Sequence, residues 1–444
     1  MEGDEGMLKI AIIGAGSGVF TRNLVRDILS YPELRDCTIA LMDIDSIRLE
    51  FMRKALQKLI DQEKYSTRLE ATTDRKEALK GAKYVIVTIQ VGGLKPYEYD
   101  IYIPLKYGVK QAVGDTIGPG GVFRALRTIP VLLDIAKDME ELCPDALLLN
   151  YVNPMAMNCW ALNKATNIKN VGLCHSVQGT AEFLAKIIGA KMEEISYLCA
   201  GINHMAWFLK FEWNGKDAYP LIREKANDPE IYTQDVTKFE ILKHFGYYVT
   251  ESSFHMSEYV PYFRKSDDWI NRIHKTHSWH KEHYNGMYLH CCLDAAKTLL
   301  EDLKKMAEAD YIDPKRSSEY CATIIHSIET NTPSVINGNV ENKGLITNLP
   351  EGCCVEVPCL VDRNGIQPTY VGDLPPQLAA LNRTNINVQE LAVIAALTGD
   401  REAVYHAIMM DPLTSAVLDL DQIRQMVDEM FEAEKEWLPE GFYR

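Results

Sequence analysis

Residues 8–45 constrain the fold more than any other stretch. LKIAIIG at 8–14 is apolar and rich in isoleucine but for Lys9, the pattern of a strand covered on both faces. The chain then turns through Gly14-Ala15-Gly16-Ser17-Gly18 into the helical pattern VFTRNLVRDIL. TIALMDID at 38–45 reads as a second buried strand ending in Asp43. Strand, glycine turn, helix and acid-terminated strand make the opening unit of a dinucleotide-binding fold. The glycines let the backbone approach a pyrophosphate, and the helix start offers free N–H groups. Asp43 can accept ribose hydroxyls, and its charge favours NAD over a 2′-phosphorylated cofactor. Two bland readings compete. Val19 stands where the third glycine of G-x-G-x-x-G would fall, so the turn alone also fits a plain strand-to-helix junction. Asp43 or Asp45 can simply cap the helix that follows.

Further buried strands are expected at 84–89 (YVIVTI), 146–154 (ALLLNYVNP) and 171–176 (VGLCHS), alternating with helical patterns. That alternation predicts a parallel sheet. The groups placed to meet a nucleotide are Gly14, Gly16, Ser17, Val19 and Phe20 on the turn, Asp43, and Thr88 and Gln90 after the third strand. From about residue 195 the chain grows richer in Tyr, Trp and His. Long helical patterns appear at about 288–310, 314–330, 386–398 and 418–436. The reading is α/β: a Rossmann-like NAD-binding domain over 1–195 and an α+β substrate, metal and oligomerisation domain over 196–444. GDTIGPGG at 114–121 reads as a flexible loop. HKTHSWHKEHY at 274–284 reads as a solvated helix face or an interface loop rather than a metal site.

The net charge of −15 argues against a nucleic-acid surface. No apolar run reaches the roughly 18 residues a membrane span needs. The acidic start carries no signal-peptide pattern. The 11 cysteines are odd in number and scattered, which fits reduced thiols. A cytoplasmic protein is expected.

The chemistry comes from longer motifs. GAGSGVFTRNLVRDIL, GDTIGPGGVFRALRTIP, LLLNYVNPMAMN, VGLCHSVQGTAE, CAGINHMAWF, GYYVTESSFHMSEYVPYF, PSVINGNV, NLPEGCCVEVPCLVD and LAALNRTNINVQELAV follow in order. Together they resemble glycoside hydrolase family 4, in its α-galactosidase (melibiase) branch, from about residue 8 to the C-terminus. The resemblance implies an overall shape like lactate and malate dehydrogenases. It implies an NAD- and Mn2+-dependent glycosidase acting by redox-assisted elimination, an exception to the two-carboxylate scheme. A hydride leaves sugar C3 for NAD+, the C2 proton becomes acidic, the aglycone leaves C1, water adds, and the hydride returns. It also implies a homo-oligomer, dimer or tetramer, with a small α-galactoside as substrate.

The resemblance assigns roles by motif. Cys174 in GLCHS and His204 in GINH match the metal ligands. They lie 30 residues apart, too far for spacing alone to have found them. Asn153 in YVNP matches a substrate-binding asparagine, and Asp115 is a second candidate for the sugar or the nicotinamide end. Many relatives carry an aspartate after the metal cysteine, whereas this chain has His175, which can act as general acid near neutrality. Tyr259 in SEYVPYF matches the C2 base, with Glu251 and His255 as alternatives. The rivals are a 6-phospho-α-glycosidase, an α-glucosidase or an α-galacturonidase of the same family. A 2-hydroxy-acid dehydrogenase is a further rival, but it needs no metal cysteine and would accumulate NADH. A phosphosugar enzyme would need a basic cluster, and the CHSVQ and NINVQ segments resemble the unphosphorylated branch.

Overall fold

Alternate residues of the first strand face two different cores. In β1 (Leu8–Ile13), Ile10 and Ile12 pack on one side of the sheet, Ala11 and Ile13 on the other. The same division holds in β2 (Cys37–Met42) and β4 (Tyr84–Val87). A strand buried on both faces has no polar side to alternate with, which is why these runs are continuously apolar. The computed structural model describes residues 6–18, 20–276, 283–317 and 319–443. Val19 lies outside them.

Among the described residues the sheet has 12 strands in the order β3-β2-β1-β4-β5-β6-β10-β11-β7-β8-β9, with β12 paired to β11. The remaining strands are β3 (Arg68–Thr72), β5 (Leu147–Asn150), β6 (Asn170–Gly172), β7 (Ile195–Ile202), β8 (Met205–Trp213), β9 (Lys216–Asp217), β10 (Ser334–Glu341), β11 (Cys354–Asp362) and β12 (Gly365–Pro368). From β3 through β6 every pairing is parallel, in the 3-2-1-4-5-6 order of a dinucleotide-binding fold. From β6 to β10 onward every pairing is antiparallel. The sheet therefore runs unbroken between the two halves. The junction is one row of residues: Gly172 pairs with Asn339, Asn339 with Glu356, and Glu356 with Gly201.

Several expectations need correction. Residues 114–121 are buried, and a helix, Gly118–Leu142, begins inside them, so this is no flexible loop. The helical pattern at 314–330 is realised only as Cys321–Thr330, whereas that at 386–398 starts earlier, at Pro376. Of the 274–284 cluster, residues 277–282 lie outside the described ones. His274 is only 4% exposed and lies against the Tyr284 ring, so it is not on a solvated face.

Candidate active site

The nucleotide turn is packed so closely that glycine is required. At Gly14, with φ +94°, a Cβ would lie 2.8 Å from the Thr88 carbonyl oxygen. The Thr88 hydroxyl donates back to the Gly14 carbonyl at 3.0 Å, locking β1 to the end of β4. A Cβ on Gly16 would stand 2.8 Å from the Asp43 carboxylate, to which the Gly16 N–H donates at 2.7 Å. The other Asp43 oxygen accepts from Asp45 N. Asp45 is the residue that caps the following helix, through Ile47 N and Arg48 N. Asp43 therefore closes the turn, and each oxygen keeps a lone pair for a ribose hydroxyl. Ser17 N bonds back to the Gly14 carbonyl, and Phe20 opens the first helix with its edge against Tyr151. Gln90 spends its amide on the Gly93 carbonyl. The cradle fits a dinucleotide backbone.

The carboxyl ends of two parallel strands, β5 and β6, carry two of the remaining groups, and the antiparallel half supplies the others. Asn153 follows β5, and Cys174 follows β6 at the start of the Ser176–Ile188 helix. His204 occupies the two-residue turn between β7 and β8, and Glu251 follows the segment that bridges to β8 at Trp207. The ligand atoms of Cys174, His204 and Glu251 all lie within 4.8 Å of one another. His204 and Glu251 are both left-handed, at φ 64° and 77°. For His204 the hairpin turn itself demands this backbone, whereas Glu251 lies in no hairpin turn and caps no helix, and a non-glycine residue held there points to a local constraint. Among the described residues thiol, imidazole and carboxylate converge without a fourth protein donor, and Cys174 is only half-buried. This set fits a divalent cation with open positions.

Electrostatics at the cluster are strongly perturbed. Burial pushes the Cys174 thiol up to about 12, with Glu251 and Glu356 adding to the rise. Burial also opposes ionisation of Glu251, but His204 and His255 outweigh it and draw the carboxyl down to about 2. A hydrogen bond to Glu319 lifts the His175 imidazole to about 9. Burial, Glu251 and Asp115 raise the Tyr259 phenol well above its ordinary value. Glu356, fully buried on β11, is pushed to about 8 by burial, against partial relief from His204 and Asn339.

The structure gathers most of the expected residues. Tyr259 Oη lies 3.1 Å from His204 Nδ1 and 3.3 Å from His255 Nε2. Asn153 Nδ2 donates to Asp115 at 3.3 Å, and Asp115 stands 4.0 Å from His255. Burial raises Asp115, yet Arg124 and His255 more than offset it, leaving the carboxyl below its ordinary value. His175 stands apart, with a side chain 68% exposed and turned to Glu319. Sequence reading passed over Arg124, Glu258 and Glu356. Their only signal was a charged residue inside an otherwise apolar or motif-rich run. The NRTNIN segment acquires a physical reason. Asn382 bonds the Trp207 indole and the Met205 carbonyl, and Asn385 bonds the Tyr259 carbonyl, so one helix braces both the hairpin and the tyrosine.

Fold and site together define a dinucleotide-binding α/β protein with a three-donor cluster of metal-ligating type at its strand ends. Comparison with known proteins gives this class a family. A model described as "Family 4 glycosyl hydrolase" matches residues 9–190, and that of the family's C-terminal domain matches residues 199–414. An alpha-galactosidase of Bacillus subtilis (strain 168) is 47% identical, covering 98% of this chain and 100% of its own length. An alpha-galactosidase of Rhizobium meliloti (strain 1021) is 42% identical, covering 97% of this chain and 89% of its own. The structure of the 6-phospho-beta glucosidase of Thermotoga maritima with manganese, NAD+ and glucose-6-phosphate superposes with a TM-score of 0.80 at 23% identity, over 97% of this chain and 99% of that one. Malate dehydrogenase of Plasmodium falciparum shares the fold more distantly, with a TM-score of 0.50 at 13% identity, over 90% of this chain and 100% of that one. The chain belongs to the family 4 glycosyl hydrolases.

Proposed function

We propose that this protein is an NAD+- and Mn2+-dependent hydrolase of terminal α-galactosides. The observation that carries the reading is the convergence of His204 and Glu251 on Cys174, which follows β6 of the same parallel sheet whose β1 leads into the nucleotide turn. The near-full-length likeness to two alpha-galactosidases supports the sugar class. When bound, NAD+ supplies a hydride acceptor for sugar C3, and the cation draws charge from the neighbouring hydroxyl oxygens. Cys174, His204 and Glu251 hold that cation. Asn153 and Asp115 grip sugar hydroxyls, one able to donate and accept, the other accepting. Tyr259 takes the C2 proton. At rest its phenol holds its own proton, so that proton first passes along the hydrogen bond to His255 Nε2. His175, protonated at neutral pH through Glu319, donates to the departing aglycone oxygen. Asp43 reads the ribose, and Gly14, Gly16 and Ser17 cradle the diphosphate.

No helix among the described residues is long and apolar enough to cross a membrane. We place the enzyme in the cytosol, where its 11 free thiols stay reduced, as a dimer or tetramer. The test is a comparison of p-nitrophenyl α-galactoside, its 6-phosphate and the α-galacturonide under identical NAD+ and Mn2+. The expected outcome is that the neutral galactoside has the highest kcat/KM. A preference for either charged sugar would overturn the galactoside assignment while leaving the family intact.

A further inference from the structure

We propose that Glu258 is a positioning residue that holds the metal-facing and sugar-facing halves of the site at a fixed spacing, acting through His255. The inference rests on the reading above. Glu258 is 2% exposed, and both its oxygens accept main-chain N–H bonds, from Val113 at 2.7 Å and Gly114 at 3.0 Å. Those amides belong to the segment that carries Asp115. The carboxylate is therefore an acceptor on its remaining side as well, where His255 Nδ1 lies 3.2 Å away and donates. With Nδ1 so committed, a neutral His255 ring presents Nε2 as a lone pair, 2.9 Å from His204 Nδ1 and 3.3 Å from Tyr259 Oη. His204 is thereby turned so that its other nitrogen, Nε2, faces Glu251 at 3.5 Å. A ligand histidine braced at its far nitrogen has a fixed tautomer and ring angle. Here the brace ends on a carboxylate that also anchors the sugar-side segment, so one side chain ties Asp115 to His204.

The test uses metal-stripped, NAD+-loaded protein and Mn2+ titration followed by electron paramagnetic resonance, with steady-state kinetics alongside. In Glu258→Gln, Mn2+ should bind roughly 10–100-fold more weakly, while NAD+ affinity stays within about two-fold of wild type. KM for p-nitrophenyl α-galactoside at saturating Mn2+ should also rise, because the Asp115 segment loses its anchor. His255→Gln keeps Glu258 bonded to Val113 and Gly114, so it serves if the first variant does not fold. It should weaken Mn2+ binding comparably and move KM less. Wild-type Mn2+ affinity and KM in both variants, with only melting temperature lowered, would overturn the proposal. Weakened Mn2+ binding in the variants, beside a wild type inactive on α-galactosides, would support the positioning role and overturn the substrate reading instead.

Discussion

A thiol pushed to about 12 ligates a cation only by giving up its proton, so metal loading at Cys174 must depend on pH. One proton released per ion predicts that Mn2+ affinity rises about ten-fold per pH unit between pH 6.5 and 8.5. A pH-independent affinity in a Mn2+ titration would remove the thiolate from the ligand set. Cys174→Ser should lose metal-dependent turnover and keep NAD+ binding, and full activity in that variant would contradict the assignment. Glu356 gives a second residue-scale prediction. Burial holds its carboxyl at about 8, above the ordinary 4.5, so the neutral form favours the folded state. That contribution is complete below about 4.5 and is lost as pH rises through about 8. At about 1.4 kcal/mol per pKa unit its loss amounts to a few kcal/mol by alkaline pH. Melting curves from pH 6 to 9 should therefore fall more steeply for wild type than for Glu356→Gln. Parallel curves would show that Glu356 is not the group.

The decisive elements were unevenly legible. Five of the six parallel strands announced themselves because burial on both faces leaves an apolar run, whereas β3, a partly exposed RLEAT segment, was not read. The glycine turn was legible because only glycine fits against Thr88 and Asp43. The β7–β8 hairpin and β10–β11 pair were not read as strands. Their sequences, such as SVINGNVE, mix polar and apolar residues because Asn337, Asn339 and Glu356 are buried by pairing and side-chain bonds, not by an apolar pattern. Cys174 and His204 were found only through the family resemblance. Their proximity arises from the row Gly172–Asn339–Glu356–Gly201, which joins segments far apart in the chain. The hairpin that presents His204 depends on Asn382, fully buried and bonded at both ends of its amide. Asn382→Ala leaves a buried indole N–H and the Met205 carbonyl without that partner. It should cost about 1–3 kcal/mol in denaturant unfolding and weaken Mn2+ binding as well. An effect on stability alone would uncouple the brace from the site.

At the scale of the whole molecule, one continuous sheet carries a nucleotide turn after β1 and, across the junction of its parallel and antiparallel halves, a metal-type cluster. Among the helices, Arg127 of Gly118–Leu142 ties Leu94–Lys106 to the end of the C-terminal Leu420–Ala433 helix. This guanidinium, 1% exposed, bonds both Asp100 and Glu434, at 3.1 and 2.8 Å through Nη1. Arg127→Met strands two buried carboxylates and should cost about 3–5 kcal/mol. A loss below about 1 kcal/mol in urea unfolding would show that the triad is incidental. The central claim joins both cofactor sites in one reaction. Its most direct test is p-nitrophenyl α-galactoside hydrolysis by protein stripped of nucleotide and metal, with NAD+, Mn2+ and a thiol reductant restored singly and together. The account predicts release only when all three are present, with no net NADH. Release without NAD+ or Mn2+, or NADH accumulating in proportion to product, would contradict it.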